Sequence, residues 1–326
     1  MEHRMFTGPL FVVGAPRSGT KLFRDLLRQH SRVGIPTYET EFLPRLMLIA
    51  DSFGDLSQES NFARFYAWAT RYMYFKYLRD DGACITMQQW YSGCRTYTVA
   101  GVFEALIRHD AAVAEDGIWG DKSPNYRNHL PEIAALWPEA RFIHIVRDVR
   151  DVCLSSRQAW GKHMLRNAQR WMDEVGACRR AGQRLGGRYF ELRYEDLLAR
   201  PEPTLRAVAA FLGLDFEPAM LKPGRVSENL GDTRGADKIV AGNQEKWRDR
   251  MSPSTLARVE AVCGPLLGEL GYPLALGPQP PARLSEAEML LYKAMDGANL
   301  LRFRVKEWGL ADAVRYSVSA WESTRA

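Results

Sequence analysis

The fold of this chain is constrained most by a hydrophobic segment that runs into a glycine-containing turn and then a helix. The segment reads Phe11-Val-Val-Gly-Ala-Pro-Arg-Ser-Gly-Thr-Lys21. Residues 10–13 have the continuous apolar character of a buried strand, and Leu22, Leu26 and Leu27 follow at helical spacing. The unused backbone N–H groups and the positive dipole end of such a helix attract anions. The segment therefore predicts a βα unit with an anion-binding loop.

This loop is similar to the phosphate-binding loop of nucleoside triphosphatases, but it departs from that pattern. Gly14 and Gly19 have the required spacing. Thr20 stands where the pattern requires lysine, and Lys21 stands where it requires a hydroxyl group. We therefore expect the loop to bind a phosphate-like group without the magnesium arrangement of the triphosphatases. Arg17 adds a planar, permanently charged guanidinium to the loop.

A second segment also predicts a buried strand that ends in a charged turn. It reads Arg141-Phe-Ile-His-Ile-Val-Arg-Asp-Val-Arg-Asp-Val-Cys-Leu-Ser155. Arg147 and Ser155 lie across its strand-to-helix junction. Asp148 and Asp151 alternate with arginines, which favours anion binding over metal binding. Strands that alternate with helices indicate an α/β fold with a parallel sheet, whose ligands bind at the carboxyl ends of the strands.

In this order, the two segments resemble those of the sulfotransferase superfamily that uses 3′-phosphoadenosine-5′-phosphosulfate (PAPS), in its bacterial, tyrosylprotein-sulfotransferase-like branch. The resemblance covers roughly residues 9–250. It implies a P-loop-type parallel β-sheet flanked by helices, with PAPS as co-substrate and no metal. It assigns the 3′-phosphate to Arg147 and Ser155, and the 5′-phosphosulfate to the loop. The loop residues are Pro16, Arg17, Ser18, Gly19, Thr20 and Lys21, and Lys21 departs from the Thr or Ser usual in the family.

The resemblance also assigns catalytic roles in the transfer of a sulfuryl group to a hydroxyl or an amine. The segment Tyr38-Glu-Thr-Glu41 looks like the Glu-Thr segment of tyrosylprotein sulfotransferases. Glu39 is therefore the expected general base, and Glu41 is the second candidate. Lys122 matches a family lysine that faces the transferring group, and Arg17 is expected to share in stabilising the charge there.

Further donor contacts are expected from a strand end and from a C-terminal loop. Tyr194 ends the predicted strand Arg188–Tyr194, and the resemblance places it beside the adenosine. The stretch after Thr233 looks like the family loop that closes over the nucleotide. Its candidate donor-binding residues are Arg234, Lys238, Lys246 and Trp247, and the choice among the three cations for the 3′-phosphate stays open.

Two other functions are compatible with parts of the sequence. A P-loop kinase or a related phosphotransferase would need Lys and Ser or Thr directly after Gly19. A non-catalytic nucleotide-binding module would not need Glu39 and Lys122 beside the donor segments. The acceptor is also open among small molecules, carbohydrates, lipids and peptides. The aromatic residues of 62–77 and the amphipathic C-terminal segment favour an apolar or lipid-linked acceptor.

The pattern along the chain predicts one main domain and a helical extension. We expect a sulfotransferase domain over 1–272, with a helical, aromatic-rich insertion at about 50–110. A proline-rich linker follows over 273–284, and 285–326 forms an amphipathic helical extension that begins in a capping box. This extension is expected to pack on the domain, to pair with a second copy in a homodimer, or to touch a membrane surface peripherally.

The composition limits the classes of partner and the cellular compartment. A net charge of +5 suits a polyanionic ligand and is too small to indicate nucleic acid as a partner. The five cysteines are odd in number and lack metal-site spacing, which indicates reduced thiols. The first residues are too polar for a signal peptide, and no run of about 18 apolar residues occurs. We therefore expect a cytoplasmic, bacterial enzyme.

Overall fold

The computed structural model describes residues 5–227, 231–314 and 317. In this part of the chain five strands form one parallel sheet in the order β2-β3-β1-β4-β5. The predicted α/β fold with a parallel sheet flanked by helices is therefore confirmed. The strands are β1 (Leu10–Gly14), β2 (Val33–Gly34), β3 (Ile118–Lys122), β4 (Arg141–Val146) and β5 (Tyr189–Arg193).

Helices cover both faces of the sheet, and short 3-10 turns connect several of them. The α-helices are α1 (Thr20–Leu27), α2 (Leu43–Ile49), α3 (Glu59–Ala69), α4 (Met73–Asp80), α5 (Met87–Gly93), α6 (Val99–Asp110), α7 (Leu130–Leu136), α8 (Val149–Trp160), α9 (Met164–Gln183), α10 (Tyr194–Ala199), α11 (Pro201–Leu212), α12 (Trp247–Arg250), α13 (Pro253–Glu269) and α14 (Glu286–Trp308). The 3-10 turns are Ala50–Phe53, Pro124–Asn128, Gly186–Arg188 and Pro218–Leu221. Residues 310–314 are helical again.

The central position of β1 determines where the predicted site residues meet. β1 pairs with β3 on one side and with β4 on the other, all in parallel. The carboxyl ends of these three strands therefore lie at one edge of the sheet. The anion-binding loop follows β1, Lys122 ends β3, and Arg147 directly follows β4.

Alternating side chains of β1 divide the core between the two faces of the sheet. Phe11 and Val13 belong to a cluster with the aromatic residues of α3 to α6, whereas Leu10 and Val12 pack with α1 and α11. Period-two alternation explains this division, because successive strand side chains point to opposite faces. Both faces are apolar because helices cover both of them.

The aromatic segment of 62–77 is mainly a packing element. Phe62, Phe65 and Phe75 are fully buried around Trp90, with edge-on or stacked ring contacts. Such contacts combine burial of large apolar area with favourable ring geometry. Tyr72, Met73, Tyr74 and Tyr77 lie at the edge of this cluster and line a large cavity.

Both ends of one predicted strand moved by one residue, and one prediction about a cap is confirmed. β5 begins at Tyr189 rather than Arg188, and it ends at Arg193 because Tyr194 already begins α10. Ser285 caps α14 by accepting a hydrogen bond from the backbone N–H of Glu288, whose side chain accepts one from the N–H of Ser285. The segment 273–284 contains no helix or strand. The proposed domain limits at 272 and 285 stay predictions, and residues 315–316 and 318–326 of the extension lie outside the described residues.

Candidate active site

The loop between β1 and α1 depends on a glycine that no other residue can replace without strain. Gly19 has φ = +91° and caps the N-terminus of α1. A Cβ atom at Gly19 would lie 2.2 Å from Cδ2 of Tyr194. The position therefore needs glycine for its left-handed backbone and for the close approach of the tyrosine ring. Arg17 also has a positive φ of 75°, so the chain turns sharply at the residue that carries the guanidinium.

The start of α1 presents polar groups without side-chain caps. No side chain caps this helix, and its first turn contains no acidic residue. Ser18 is fully buried, and its Oγ has no hydrogen-bond partner in the structure. A buried hydroxyl without a partner is costly unless a ligand satisfies it. The residues of this turn therefore fit a bound oxyanion, such as a phosphate or sulfate group.

The second segment folds against the loop, as the two sequence patterns suggested. The Nε of Arg17 donates a hydrogen bond of 3.0 Å to Oγ of Ser155. Arg147 donates to the carbonyl oxygen of Arg17 at 3.1 Å and to that of Asn243 at 2.9 Å. Burial and the nearby charge of Arg147 lower the pKa of Arg17 to about 10. Two guanidinium groups thus face one space, which favours an anion between them.

Tyr194 and Asn243 complete this side of the site. The guanidinium of Arg147 lies over the Tyr194 ring, with 4.6 Å between its Cζ and the ring centroid. Asn243 donates a hydrogen bond of 2.7 Å from its Nδ2 to the Tyr194 hydroxyl. Sequence reasoning missed Asn243, since a single asparagine in a loop carries no spacing signal. Its contacts place the loop that contains it beside the start of α8.

Lys122 and Glu39 form an ion pair in the cavity wall. The Lys122 Nζ donates a hydrogen bond to Oε1 of Glu39. Lys122 is 1% exposed, whereas the Glu39 side chain is 30% exposed. Burial raises the pKa of Glu39, but the charge and hydrogen bond of Lys122 outweigh it, so the pKa lies below its ordinary value. Burial lowers the pKa of Lys122 even though Glu39 opposes that shift.

A buried threonine fixes the loop that carries Glu39. Thr40 is 1% exposed, and its Oγ1 donates to Oδ2 of Asp121 at 2.9 Å and lies 2.6 Å from the Tyr126 hydroxyl. The two flanking glutamates line the cavity on either side of this anchor. Thr40 and its partners were missed by sequence reasoning, although Thr40 lies between the two glutamates that were found.

Glu41 occupies a different electrostatic environment from Glu39. Its Oε1 accepts a hydrogen bond of 3.0 Å from Asn125, and its backbone has φ = +55°. Burial and the negative charge of Glu39 raise the pKa of Glu41 to about 7. Lys21 lines the same cavity, and burial lowers the pKa of its ammonium although Glu39 opposes the shift. Neighbouring carboxylates thus have pKa values shifted in opposite directions, which is common at functional sites.

The four predicted residues of the C-terminal loop differ in their positions. Lys246 lines the cavity and donates to Asp232 at 2.6 Å and to Oδ1 of Asn243 at 2.5 Å. Lys238 is exposed and also lines the cavity. Arg234 is exposed and is not among the cavity-lining residues. Trp247 is 2% exposed and packs under Arg150, 3.7 Å from its Cζ to the ring centroid, away from the cavity wall.

One large cavity connects most of these groups. Its volume is about 1590 Å³, and its walls include Arg17, Glu39, Lys122, Arg147 and Ser155. Among residues 5–227, 231–314 and 317, no group of three or more His, Cys, Asp or Glu side chains could hold a metal ion. No helix in the described part of the chain is long and apolar enough to cross a membrane.

Comparison with known proteins finds relatives of this chain. The chain is 27% identical over 300 residues to nodulation protein NoeE of Sinorhizobium fredii, across 82% of this chain and 66% of that protein. It is 25% identical over 281 residues to protein-tyrosine sulfotransferase 1 of Danio rerio, across 81% of this chain and 72% of that protein. The chain thus spans about two thirds of the length of these relatives.

The fold has relatives of known structure. The sulfotransferase domain of the Synechococcus PCC 7002 olefin synthase superimposes with a TM-score of 0.52 at 22% identity, covering 80% of this chain and 96% of that domain. Residues 9–218 match the family model described as "Sulfotransferase family". This match covers more than half of the 326 residues. The chain therefore belongs to the sulfotransferase family, as the resemblance of its two loop segments had implied.

Proposed function

We propose that this chain transfers the sulfuryl group of PAPS to a hydroxyl, or to an amine, of an acceptor. One observation carries the proposal: the two anion-binding segments and the Glu39–Lys122 pair line the same cavity. Bound PAPS would supply the activated sulfuryl group. The residues of the chain bind and orient the donor, stabilise developing charge and take the proton of the acceptor.

The donor side of the cavity lies along the β1–α1 loop and the start of α8. In this proposal the N–H groups at the start of α1, together with Ser18 and Lys21, bind the 5′ end of the donor. Arg147 and Ser155 bind its 3′-phosphate. Both side chains hydrogen-bond to Arg17 in the structure. Arg147 donates to a neutral carbonyl oxygen there, and a phosphate oxygen in its place would strengthen the hydrogen bond because both partners would then be charged.

Glu39 and Lys122 have different proposed roles during transfer. Lys122 and Arg17 are the cations proposed to stabilise charge on the sulfuryl oxygens and on the leaving phosphate. Lys122 holds the pKa of Glu39 low as long as the two remain paired. When Lys122 also pairs with the anionic donor, it stabilises the Glu39 carboxylate less. The pKa of Glu39 then rises, and Glu39 becomes a better base. Glu39 then accepts the proton of the acceptor hydroxyl.

A titration of the purified protein tests the proposal. We expect 3′-phosphoadenosine-5′-phosphate (PAP), the spent donor, to bind with release of heat in a calorimeter. ATP with Mg²⁺ should bind negligibly, because Thr20 and Lys21 do not follow the triphosphatase pattern. Preference for Mg·ATP over PAP would contradict the proposal and would indicate a phosphotransferase.

A further inference from the structure

The long helix α14 is attached firmly to the body of the molecule along its first half. The ring of Tyr292 stacks on His163 with 3.5 Å between centroids. Asp296 is 6% exposed and accepts hydrogen bonds of 2.6 Å from the backbone of His163 and 2.7 Å from Arg166. The family match ends at residue 218, so α14 lies outside the part that the chain shares with the family model.

The second half of α14 and the turn after it cross the cavity. Asn299 donates a hydrogen bond of 2.9 Å to the carbonyl oxygen of Gly161, at the end of α8. Asp312, past the end of α14, lies 3.6 Å from the Nζ of Lys76 on α4. The segment 299–312 therefore runs from the donor-side helix α8 to α4. We name this segment the strap.

The strap contributes apolar side chains to the cavity wall. Leu300, Phe303 and Trp308 line the cavity and are each partly buried, and Arg304 and Glu307 of the same segment line it beside them. The neighbouring Leu301 is 42% exposed and is not among the cavity-lining residues. Leu300 and Leu301 are adjacent on one helix, but only Leu300 lines the cavity. Leu301 is therefore a matched control position for Leu300.

A second apolar wall comes from the start of α4 and the residue before Glu39. Tyr72, Met73 and Tyr77 line the cavity there. The ring of Tyr77 stacks on that of Tyr38, with 4.8 Å between centroids, and the Tyr38 hydroxyl donates to Asp81 at 2.7 Å. Tyr38 directly precedes Glu39, so this wall adjoins the proposed base.

The size of the cavity leaves room for a second ligand. Pockets for single drug-sized molecules usually have volumes of about 300–1,000 Å³. The cavity of about 1590 Å³ exceeds that range. The charged Arg17 and Arg147, together with the polar Ser155, mark one part of it as the donor side. The strap and the α4 wall supply aromatic and aliphatic side chains elsewhere on its surface.

We propose that the strap forms one wall of the acceptor site, and that the acceptor is a small hydroxylated molecule with an apolar body. The inference rests on the proposed function, since it takes Glu39 as the group that receives the acceptor proton. Leu, Met, Phe, Tyr and Trp side chains gain free energy by excluding water from an apolar body, and they offer a polyhydroxylated sugar few partners. Phe303 and Leu300 are specificity-determining residues in this arrangement.

Binding of 2-naphthol to the full-length protein saturated with PAP tests the inference, with the fluorescence of the naphthol as the readout. We expect saturable binding to the wild-type protein. Phe303→Ala should weaken it at least about tenfold, since a large buried apolar contact is lost. Phe303→Leu, which keeps most of that contact, should restore much of the affinity. Leu300→Ala should weaken binding, whereas the matched control Leu301→Ala should not.

The outcomes separate this inference from the proposed function. Absence of saturable 2-naphthol binding to PAP-loaded protein would overturn the proposed class of acceptor. Equal affinities for the wild type and Phe303→Ala, or equal losses for Leu300→Ala and Leu301→Ala, would overturn the role of the strap. PAP affinity is measured for every variant, and unchanged values show that the fold is intact. Failure of the wild-type protein to bind PAP would instead contradict the proposed function.

Discussion

The Nε of Arg17 donates a hydrogen bond of 3.0 Å to Oγ of Ser155, across 138 residues of sequence. This contact joins the loop after β1 to helix α8, and Arg147 reinforces it by donating to the backbone oxygen of Arg17. Both arginines line the cavity at the carboxyl edge of the sheet. The two segments recognised in the sequence therefore form one surface of the cavity, which we propose as the donor-binding surface.

Replacing either arginine should weaken binding of PAP. We expect Arg17→Ala and Arg147→Ala each to cost about 1.5–3 kcal/mol of binding free energy, or roughly 10- to 150-fold in Kd. The reason is the loss of charged hydrogen bonds to phosphate oxygens. Calorimetric titration measures the effect, and Arg206→Ala is the control because that exposed arginine pairs with Glu202 and does not line the cavity. Equal losses in all three variants would argue against the proposed donor site.

Gly19→Ala should damage the loop in two ways. A Cβ atom would lie 2.2 Å from Tyr194, and the residue has φ = +91°. The left-handed backbone alone costs alanine about 1–2 kcal/mol. We expect a lower melting temperature together with weaker PAP binding. Gly187→Ala is the matched control, since a Cβ there meets nothing within 4 Å. A Gly19→Ala protein with wild-type PAP affinity would contradict the role of this turn.

Glu39→Gln should abolish most turnover while PAP still binds. General-base catalysis contributes about 10²–10⁴-fold in rate, so kcat should fall by that order. Glu41→Gln should cause a much smaller loss, because Glu41 hydrogen-bonds to Asn125 rather than to Lys122. The release of PAP from PAPS with a hydroxylated acceptor measures both. A larger loss for Glu41→Gln would transfer the role of base to Glu41, whose pKa of about 7 suits proton transfer near neutral pH.

Thr40→Val should loosen the loop that positions Glu39. The substitution removes the hydroxyl that bonds to Asp121 and Tyr126 in the protein interior. Leaving a buried polar partner unsatisfied costs about 1–3 kcal/mol, which urea unfolding measures. We expect kcat to fall as well, and Thr40→Ser to recover both quantities because it keeps the hydroxyl. A Thr40→Ser protein as impaired as Thr40→Val would show that the methyl group matters instead.

The raised pKa of Glu41 predicts a dependence of stability on pH. Its pKa is about 7 in the folded protein against an ordinary 4.5, so the folded state holds this proton more tightly than the unfolded state does. The resulting stabilisation is complete below about pH 4.5 and is lost as pH rises through about 7. The free energy of unfolding of Glu41→Gln, relative to wild type, should therefore increase from about pH 5 to about pH 8. A pH-independent difference between the two proteins would contradict this assignment.

The sequence predicted the local elements of the fold closely. The strand over residues 10–13 and the helix that begins after Ser285 have the expected positions, because apolar patterning and a capping box act over neighbouring residues. The sequence did not reveal the strand order, in which the two-residue strand β2 lies at one edge. Strand pairing depends on hydrogen bonds between residues far apart in the chain, and no local pattern encodes them.

The candidate site likewise combines features that the local sequence encodes with features that only folding creates. The chain by itself determined the anion-binding loop, since Gly19 and the residues around it set their own backbone geometry. Only the tertiary structure brought Lys122 to Glu39, across 83 residues, and gave Glu39 and Glu41 pKa values shifted in opposite directions. It also placed the strap, with Phe303, against the cavity. Burial, charge proximity and cavity shape arise from packing between distant segments, and these three properties give the local motifs their chemical environment.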